Sequence, residues 1–174
     1  DSIRYARKIQ RSILSTQQDF SKYFQDNFAL YQPKDIVGGD FYASFDKEDR
    51  IIVAAGDCTG HGVPGALMSI LGSSLLHSII DYKEEYATDK ILNDLRQGVI
   101  KTLRQDDNDN KDGMEIGIVS YQPNNRTLEF ASSRLNLVYF QNGEIFELKG
   151  DRRSIGGADD TEHMFEKQII TVQS

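Results

Sequence analysis

An α+β domain is the fold class that the sequence predicts, on three observations. The apolar pattern runs through short strands, then two long helical stretches, then strands again. Two short segments, Pro123-Asn124-Asn125 and Gln141-Asn142-Gly143, separate later strands by hairpin-sized gaps. Strand and helix never alternate in the way a doubly wound parallel sheet requires.

Taken in order, residues 1–15 read as a helix, with Ile3, Ala6, Gln10 and Ile13 at alternating three- and four-residue spacing and Arg4, Arg7, Lys8 and Arg11 elsewhere. That pattern fits a coiled-coil seam, hence a homodimer, and equally a helix packed on its own domain; two heptads do not decide between them. The pattern begins midway, so an upstream sensor domain is expected. Residues 1–24 are accordingly assigned as a linker helix and 25–174 as the functional domain. Strands are expected at 28–32 and 41–45 and in the apolar run 51–55, the last two joined by a hairpin at 46–50. Helical periodicity then covers 62–82, with Val63, Leu67, Ile70, Leu71, Ser74 and Leu75 on one face and the small residues Gly65, Ser69, Gly72 and Ser73 on another, so both sides are expected to be covered. A second helix runs over 88–104, with Thr88 as its expected N-cap and Ile91, Leu92, Leu95, Val99 and Leu103 as its buried stripe. Beyond a polar loop at 105–113, strands are expected at 114–121, 127–132, 137–140, 145–148 and 165–172.

Composition narrows the function. The 174 residues, 39% of them hydrophobic, can bury one substantial core. A net charge of −7 argues against nucleic-acid binding, which needs clustered Lys and Arg, and favours cations as partners. The single cysteine, Cys58, permits no intrachain disulfide, so a reducing, cytoplasmic setting is expected. His61, His77 and His163 lie too far apart in sequence for a zinc motif. No unbroken apolar run approaches the ~20 residues needed to cross a bilayer, so no membrane contact is expected.

Two acidic residues stand beside glycines at strand ends: Asp40 in Val37-Gly38-Gly39-Asp40-Phe41-Tyr42, and Asp57 in Ala55-Gly56-Asp57-Cys58-Thr59-Gly60-His61-Gly62. Alone, Asp40 reads as a turn aspartate and Asp57 as a helix cap. Together, on strands that can form adjacent arms of a hairpin, they reach one end of one sheet. Paired carboxylates beside a glycine-rich turn that bares a backbone carbonyl suit a hard divalent cation such as Mg²⁺ or Mn²⁺. Two such ions sharing Asp57 would activate a bridging water and clamp a phosphoryl group.

Three rival motifs fail on context. Gly60-x-Gly62-x-x-Gly65 matches a dinucleotide fingerprint, but a second helix rather than a parallel strand follows it. Gly38-Gly39-Asp40-Phe41 lacks the second acidic residue of the diguanylate cyclase signature. A Ca²⁺ loop starting at Asn108 would place its bidentate acid at Val119.

The segments 32–42 and 56–68, with Asp112-Gly113-Met114-Glu115, Asn142-Gly143 and Ser154-Ile155-Gly156-Gly157, resemble the SpoIIE-like (stage II sporulation protein E) serine phosphatases, bacterial relatives of protein phosphatase 2C. The resemblance spans about residues 1–174. It implies an antiparallel β-sandwich flanked by α-helices, with the N-terminal helix as linker to a sensor. It implies a two-metal Mn²⁺ or Mg²⁺ site held by Asp40, Asp57 and the carbonyl of Cys58. The implied reaction is hydrolysis of a phosphoserine or phosphothreonine regulatory protein, such as an anti-sigma-factor antagonist, by a metal-activated water, in bacterial signal transduction. Cys58 is then no nucleophile, and His61 either handles a proton or phosphate or shapes its turn. Two departures stand out. The family's further acidic motif, Thr-Asp-Gly, does not occur up to Ser174, so the domain is expected to be truncated and one metal ligand short, and either inactive as it stands or a degenerate binding module. Ser132-Ser133-Arg134-Leu135-Asn136 replaces an Ala-Gly-His/Asn-Asn-Pro type segment, leaving Arg134 as a phosphate contact or a solvated strand-end charge.

Overall fold

The computed structural model describes residues 1–14, 23–157 and 162–173. A third of the expected linker segment, residues 15–22, therefore lies outside the described residues. The elements are α1 (Ser2–Ile13), β1 (Phe41–Lys47), β2 (Arg50–Cys58), α2 (Gly62–His77) with a π-helical turn Ser78–Tyr82, α3 (Thr88–Leu103), β3 (Gly113–Gln122), β4 (Thr127–Ser133), β5 (Leu137–Gln141), β6 (Glu144–Leu148), β7 (Ile155–Gly156) and β8 (Gln168–Thr171). The main sheet runs β1-β2-β3-β4-β8, with β7 on β3, and β5-β6 forms a second, two-stranded sheet. Every pairing among these strands is antiparallel, which rules out a βαβ unit and bears out the α+β class.

Alternation along the strands divides the main sheet into two faces. Ile52, Ala54, Ile116 and Ile118 point to one face and are fully buried beneath α2 and α3, whose Leu76, Ile91, Leu92, Leu95 and Val99 are equally inaccessible. Each of the isoleucine, leucine and valine side chains contributes about 1.5–3 kcal/mol by leaving water. The opposite face carries Tyr42, Val53, Ala55 and Asp57, all at least partly exposed.

Several local expectations are corrected. Residues 28–32 form no strand, and Phe28 and Leu30 are 92% and 76% exposed. On α2 the small-residue face, Gly65, Ala66, Ser69, Gly72 and Ser73, is buried together with Met68 and Leu76; of the expected apolar face Leu71 and Leu75 pack partly buried against the core, while Val63 and Leu67 face solvent. A Cβ on Gly72 would lie 2.9 Å from Met114 and 3.0 Å from Phe41, so smallness there sets how closely helix and sheet approach. Together with the π-helical turn, α2 makes a 21-residue stretch apolar enough to span a bilayer by composition, yet half of its most apolar part is buried within the domain, as in a core helix. Thr88 is not the cap of α3: it lies within the helix, and the Glu85 carboxylate accepts from the N–H groups of Tyr86 and Ala87 just before it. At the β3–β4 turn Arg126 takes a positive φ, and at the β5–β6 turn Asn142 and Gly143 do. The last strand covers only Gln168–Thr171.

Helix α1 packs on its own domain. Gln10 and Leu14 are buried, Ile3 and Ala6 half-buried, and Ile13 of the expected seam is exposed beside Tyr5 and Ile9. Gln10 donates to the Gly38 carbonyl at 2.7 Å and to Ser69 Oγ at 2.9 Å, and accepts from the Gly38 N–H at 3.3 Å.

Candidate active site

The β1–β2 hairpin brings the two singled-out aspartates together. Lys47 pairs with Arg50 and Phe41 with Gly56, so extending the register by one residue sets Asp40 opposite Asp57. Both belong to the sheet face away from the helices, and their carboxyls are within hydrogen-bonding reach. Burial, the Asp40 charge and the hydrogen bond to Asp40 hold the Asp57 carboxyl above the ordinary carboxylate range. They sit in a groove of about 510 Å³, open to solvent, whose far wall is the segment Phe28 to Gln32.

Glycines close the floor of this site. A Cβ on Gly39 would lie 2.9 Å from the Gly60 carbonyl oxygen and 3.1 Å from that of Cys58. A Cβ on Gly65 would lie 2.6 Å from the Gly60 oxygen. Only side-chain-free residues allow three backbone segments to meet here, at the end of β2 where the chain turns into α2 through positive φ values at Gly60 and Gly62. The carbonyl of Cys58 is thus held beside Gly39, one residue from Asp40. Its thiol is buried, and burial, followed by the Asp57 and Asp40 charges, pushes it up to about 12. A thiol so raised stays protonated and is no nucleophile at neutral pH.

The donor set suits a hard cation: two carboxylates, one of them resisting ionisation through burial and then through the charge of the other, with backbone oxygens alongside. Among the described residues no third His, Cys, Asp or Glu joins them in a cluster able to hold a metal.

Other singled-out residues lie nearby. His61 is the N-cap residue of α2, and its exposed ring is hydrogen-bonded through Nδ1 to Asp35 at 2.8 Å. Arg134, at φ +65°, donates to the Arg152 carbonyl at 2.9 Å and pairs with Glu115 at 3.2 Å. Sequence reasoning missed Glu115 as a neighbour of the site: it lies directly opposite Asp57 in the β2–β3 register, so a third acid shares that face, countered by Arg134. Tyr31 was also missed. Its hydroxyl is raised above the ordinary phenol range by burial and then by Asp40, with Arg11 and Arg7 pulling the other way, so α1 lies within electrostatic reach of the site.

The family model described as stage II sporulation protein E (SpoIIE) matches residues 47–173, beginning downstream of Asp40. No curated protein matches the chain. Among solved structures, the SiaA-PP2C domain of Pseudomonas aeruginosa is 32% identical with a TM-score of 0.86, over 99% of this chain and 67% of that one. The PP2C phosphatase domain of SpoIIE from Bacillus subtilis, solved with a fragment of its regulatory domain, is 13% identical with a TM-score of 0.62, over 79% of this chain and 39% of that one. RsbX in complex with magnesium is 16% identical with a TM-score of 0.60, over 79% and 62%.

Proposed function

Because the chain belongs to the stage II sporulation protein E family and has the fold of PP2C-type phosphatase domains, we propose that it is a metal-dependent protein phosphatase, acting in the cytoplasm on a phosphoserine- or phosphothreonine-bearing regulatory protein as the output of a signalling protein. One observation carries the reading: Asp40 and Asp57 share one sheet face, close enough to hydrogen-bond.

Charge gives the physical reason for a cation. A phosphoryl dianion approaching two carboxylates would be repelled, and Asp57 already resists ionisation beside Asp40. Asp40, Asp57 and the Cys58 carbonyl are the residues that would hold Mn²⁺ or Mg²⁺. When bound, such ions supply Lewis acidity and a water of lowered pKa. The groove accepts the phosphorylated side chain between the segment Phe28 to Gln32 and the sheet. In the hydrolysis the water oxygen bonds to phosphorus as the bond from phosphorus to the seryl or threonyl oxygen breaks. The water's proton ends on that oxygen, and inorganic phosphate leaves. With the Cys58 thiol pushed up to about 12, the chain offers no cysteine phosphoenzyme route.

The test is Mn²⁺-dependent hydrolysis of p-nitrophenyl phosphate, which Asp57→Asn should abolish; turnover that survives the substitution would refute the assignment. A second reading, a degenerate phosphatase fold serving as a regulatory binding module, is favoured by the absence, among the described residues, of any group of three or more His, Cys, Asp or Glu side chains able to hold a metal. Binding of Mn²⁺ without turnover selects it.

A further inference from the structure

A cavity of about 410 Å³ lies between α1 and the segment that leads into β1. Arg7, Gln10 and Arg11 line it from the helix, and Tyr31, Pro33 and Tyr42 from the other side. Arg7 and Arg11 are four residues apart, so they project from one face of the helix. Both are exposed, and neither forms an ion pair among the described residues.

Three further observations tie this cavity to the carboxylate groove. Ala29, Tyr31, Phe41 and Tyr42 line both spaces, and the rings of Tyr31 and Tyr42, edge to face at 6.4 Å, form the partition. The position of α1 is set by Gln10, which is bonded to both the N–H and the carbonyl of Gly38, two residues before Asp40. Finally, α1 is basic within an acidic chain: Arg4, Arg7, Lys8 and Arg11 fall on this short helix, which carries no acidic residue between its N-cap Asp1 and Ile13, while the whole chain carries −7.

We propose that Arg7 and Arg11 form an anion-recognition subsite that holds an acidic residue flanking the phosphorylated residue of the protein substrate. The inference rests on the phosphatase reading above and names the substrate class that reading leaves open. Guanidinium groups present planar forks that match carboxylates bidentately. An acidic substrate is repelled by most of this molecule and attracted at α1, so the basic helix fixes which way the substrate segment lies across Tyr31 and Tyr42, with its phosphate over Asp40 and Asp57. Specificity then comes from the flank and chemistry from the carboxylates.

The test uses fluorescein-labelled peptides bearing a non-hydrolysable phosphonate analogue of phosphoserine, with three glutamates on each side or three glutamines in the same places. Binding is read by anisotropy in the presence of Mn²⁺. The wild-type protein should bind the glutamate peptide about fivefold more tightly at low salt, the gain expected of two exposed ion pairs, and the preference should shrink as salt rises. Arg7→Gln with Arg11→Gln should abolish the preference, Arg7→Glu with Arg11→Glu should invert it, and Arg7→Lys with Arg11→Lys should keep part of it. Equal binding of the two peptides by wild type, no measurable binding of the glutamate peptide, or a preference that survives Arg7→Gln with Arg11→Gln overturns the proposal. Hydrolysis of p-nitrophenyl phosphate by wild type reports separately: if it fails while the arginine-dependent preference stands, the phosphatase reading falls and the anionic subsite remains.

Discussion

Substituting Gly65 by alanine tests whether the floor of the site depends on backbone contact. Gly65 lies in the first turns of α2, where alanine is intrinsically favoured over glycine by about 1 kcal/mol. Its Cβ would fall 2.6 Å from the Gly60 carbonyl oxygen, 3.0 Å from the Gly39 Cα and 3.1 Å from the Gly60 carbonyl carbon, all of them backbone atoms. The carbonyl oxygen would have to retreat by 0.4 Å to reach even 3.0 Å, and it belongs to the turn that follows Asp57. Gly98 in α3 is the control: the three atoms nearest to a Cβ there all belong to the Leu75 side chain, the first a terminal methyl at 2.9 Å that can rotate away. The propensity gain is common to both substitutions, so their difference isolates the overpacking cost, about 1–3 kcal/mol. Urea denaturation should therefore place Gly65→Ala about 1–3 kcal/mol below Gly98→Ala, a gap of several degrees in Tm for a domain of this size. Calorimetric titration should show weaker Mn²⁺ binding for Gly65→Ala alone. Equal stability of the two variants with unchanged Mn²⁺ affinity would refute the claim that close backbone approach builds the site.

Two more outcomes follow from the same geometry. Since the Asp57 carboxyl is raised, its contribution to stability is present at pH values below the unfolded carboxylate range and is lost as pH rises through the folded value; Asp57→Asn in EDTA should therefore be more stable than wild type at pH 7 but not at pH 3, and equal urea midpoints at pH 7 would show that the pair stores no repulsion. Gln10→Ala removes both bonds to the buried Gly38 and should cost about 2 kcal/mol, the penalty of an unsatisfied buried backbone group, with faster amide exchange at Gly38; unchanged exchange there would show that α1 does not secure the strand entry.

What was legible in the sequence was local. Asp40 and Asp57 could be paired because a hairpin with Lys47 opposite Arg50 leaves little freedom of register. Glu115 could not be seen beside Asp57, because β2 and β3 are joined through two helices and nothing local sets their register. Alternating Phe28 and Leu30 imitate a strand, yet periodicity says which side chains could share a face and not whether a neighbour offers the hydrogen-bond ladder. On α2, ranking residues by hydrophobicity chose Val63 and Leu67, while the sheet instead lies against glycine, alanine and serine, where contact distance matters more than side-chain area. The start of α3 slipped for a similar reason: Glu85, outside the helical pattern, accepts from the N–H groups of Tyr86 and Ala87 just ahead of the helix, and Thr88 is buried, its hydroxyl without a hydrogen-bond partner among the described residues.

Strand alternation also separates stability from chemistry in this domain. Along β2, Ile52, Ala54 and Cys58 face the helices and are buried, whereas Val53, Ala55 and Asp57 face the groove. The carboxylates therefore approach each other without bringing charge into the core, and the free energy lost to their repulsion is carried by a sheet whose other face is fully packed. Partial burial first, and then the neighbouring Asp40, accounts for a raised Asp57 on the groove face of this fold. A cation at the pair would relieve the repulsion and leave the core untouched, so metal binding should stabilise the domain through the hairpin end alone.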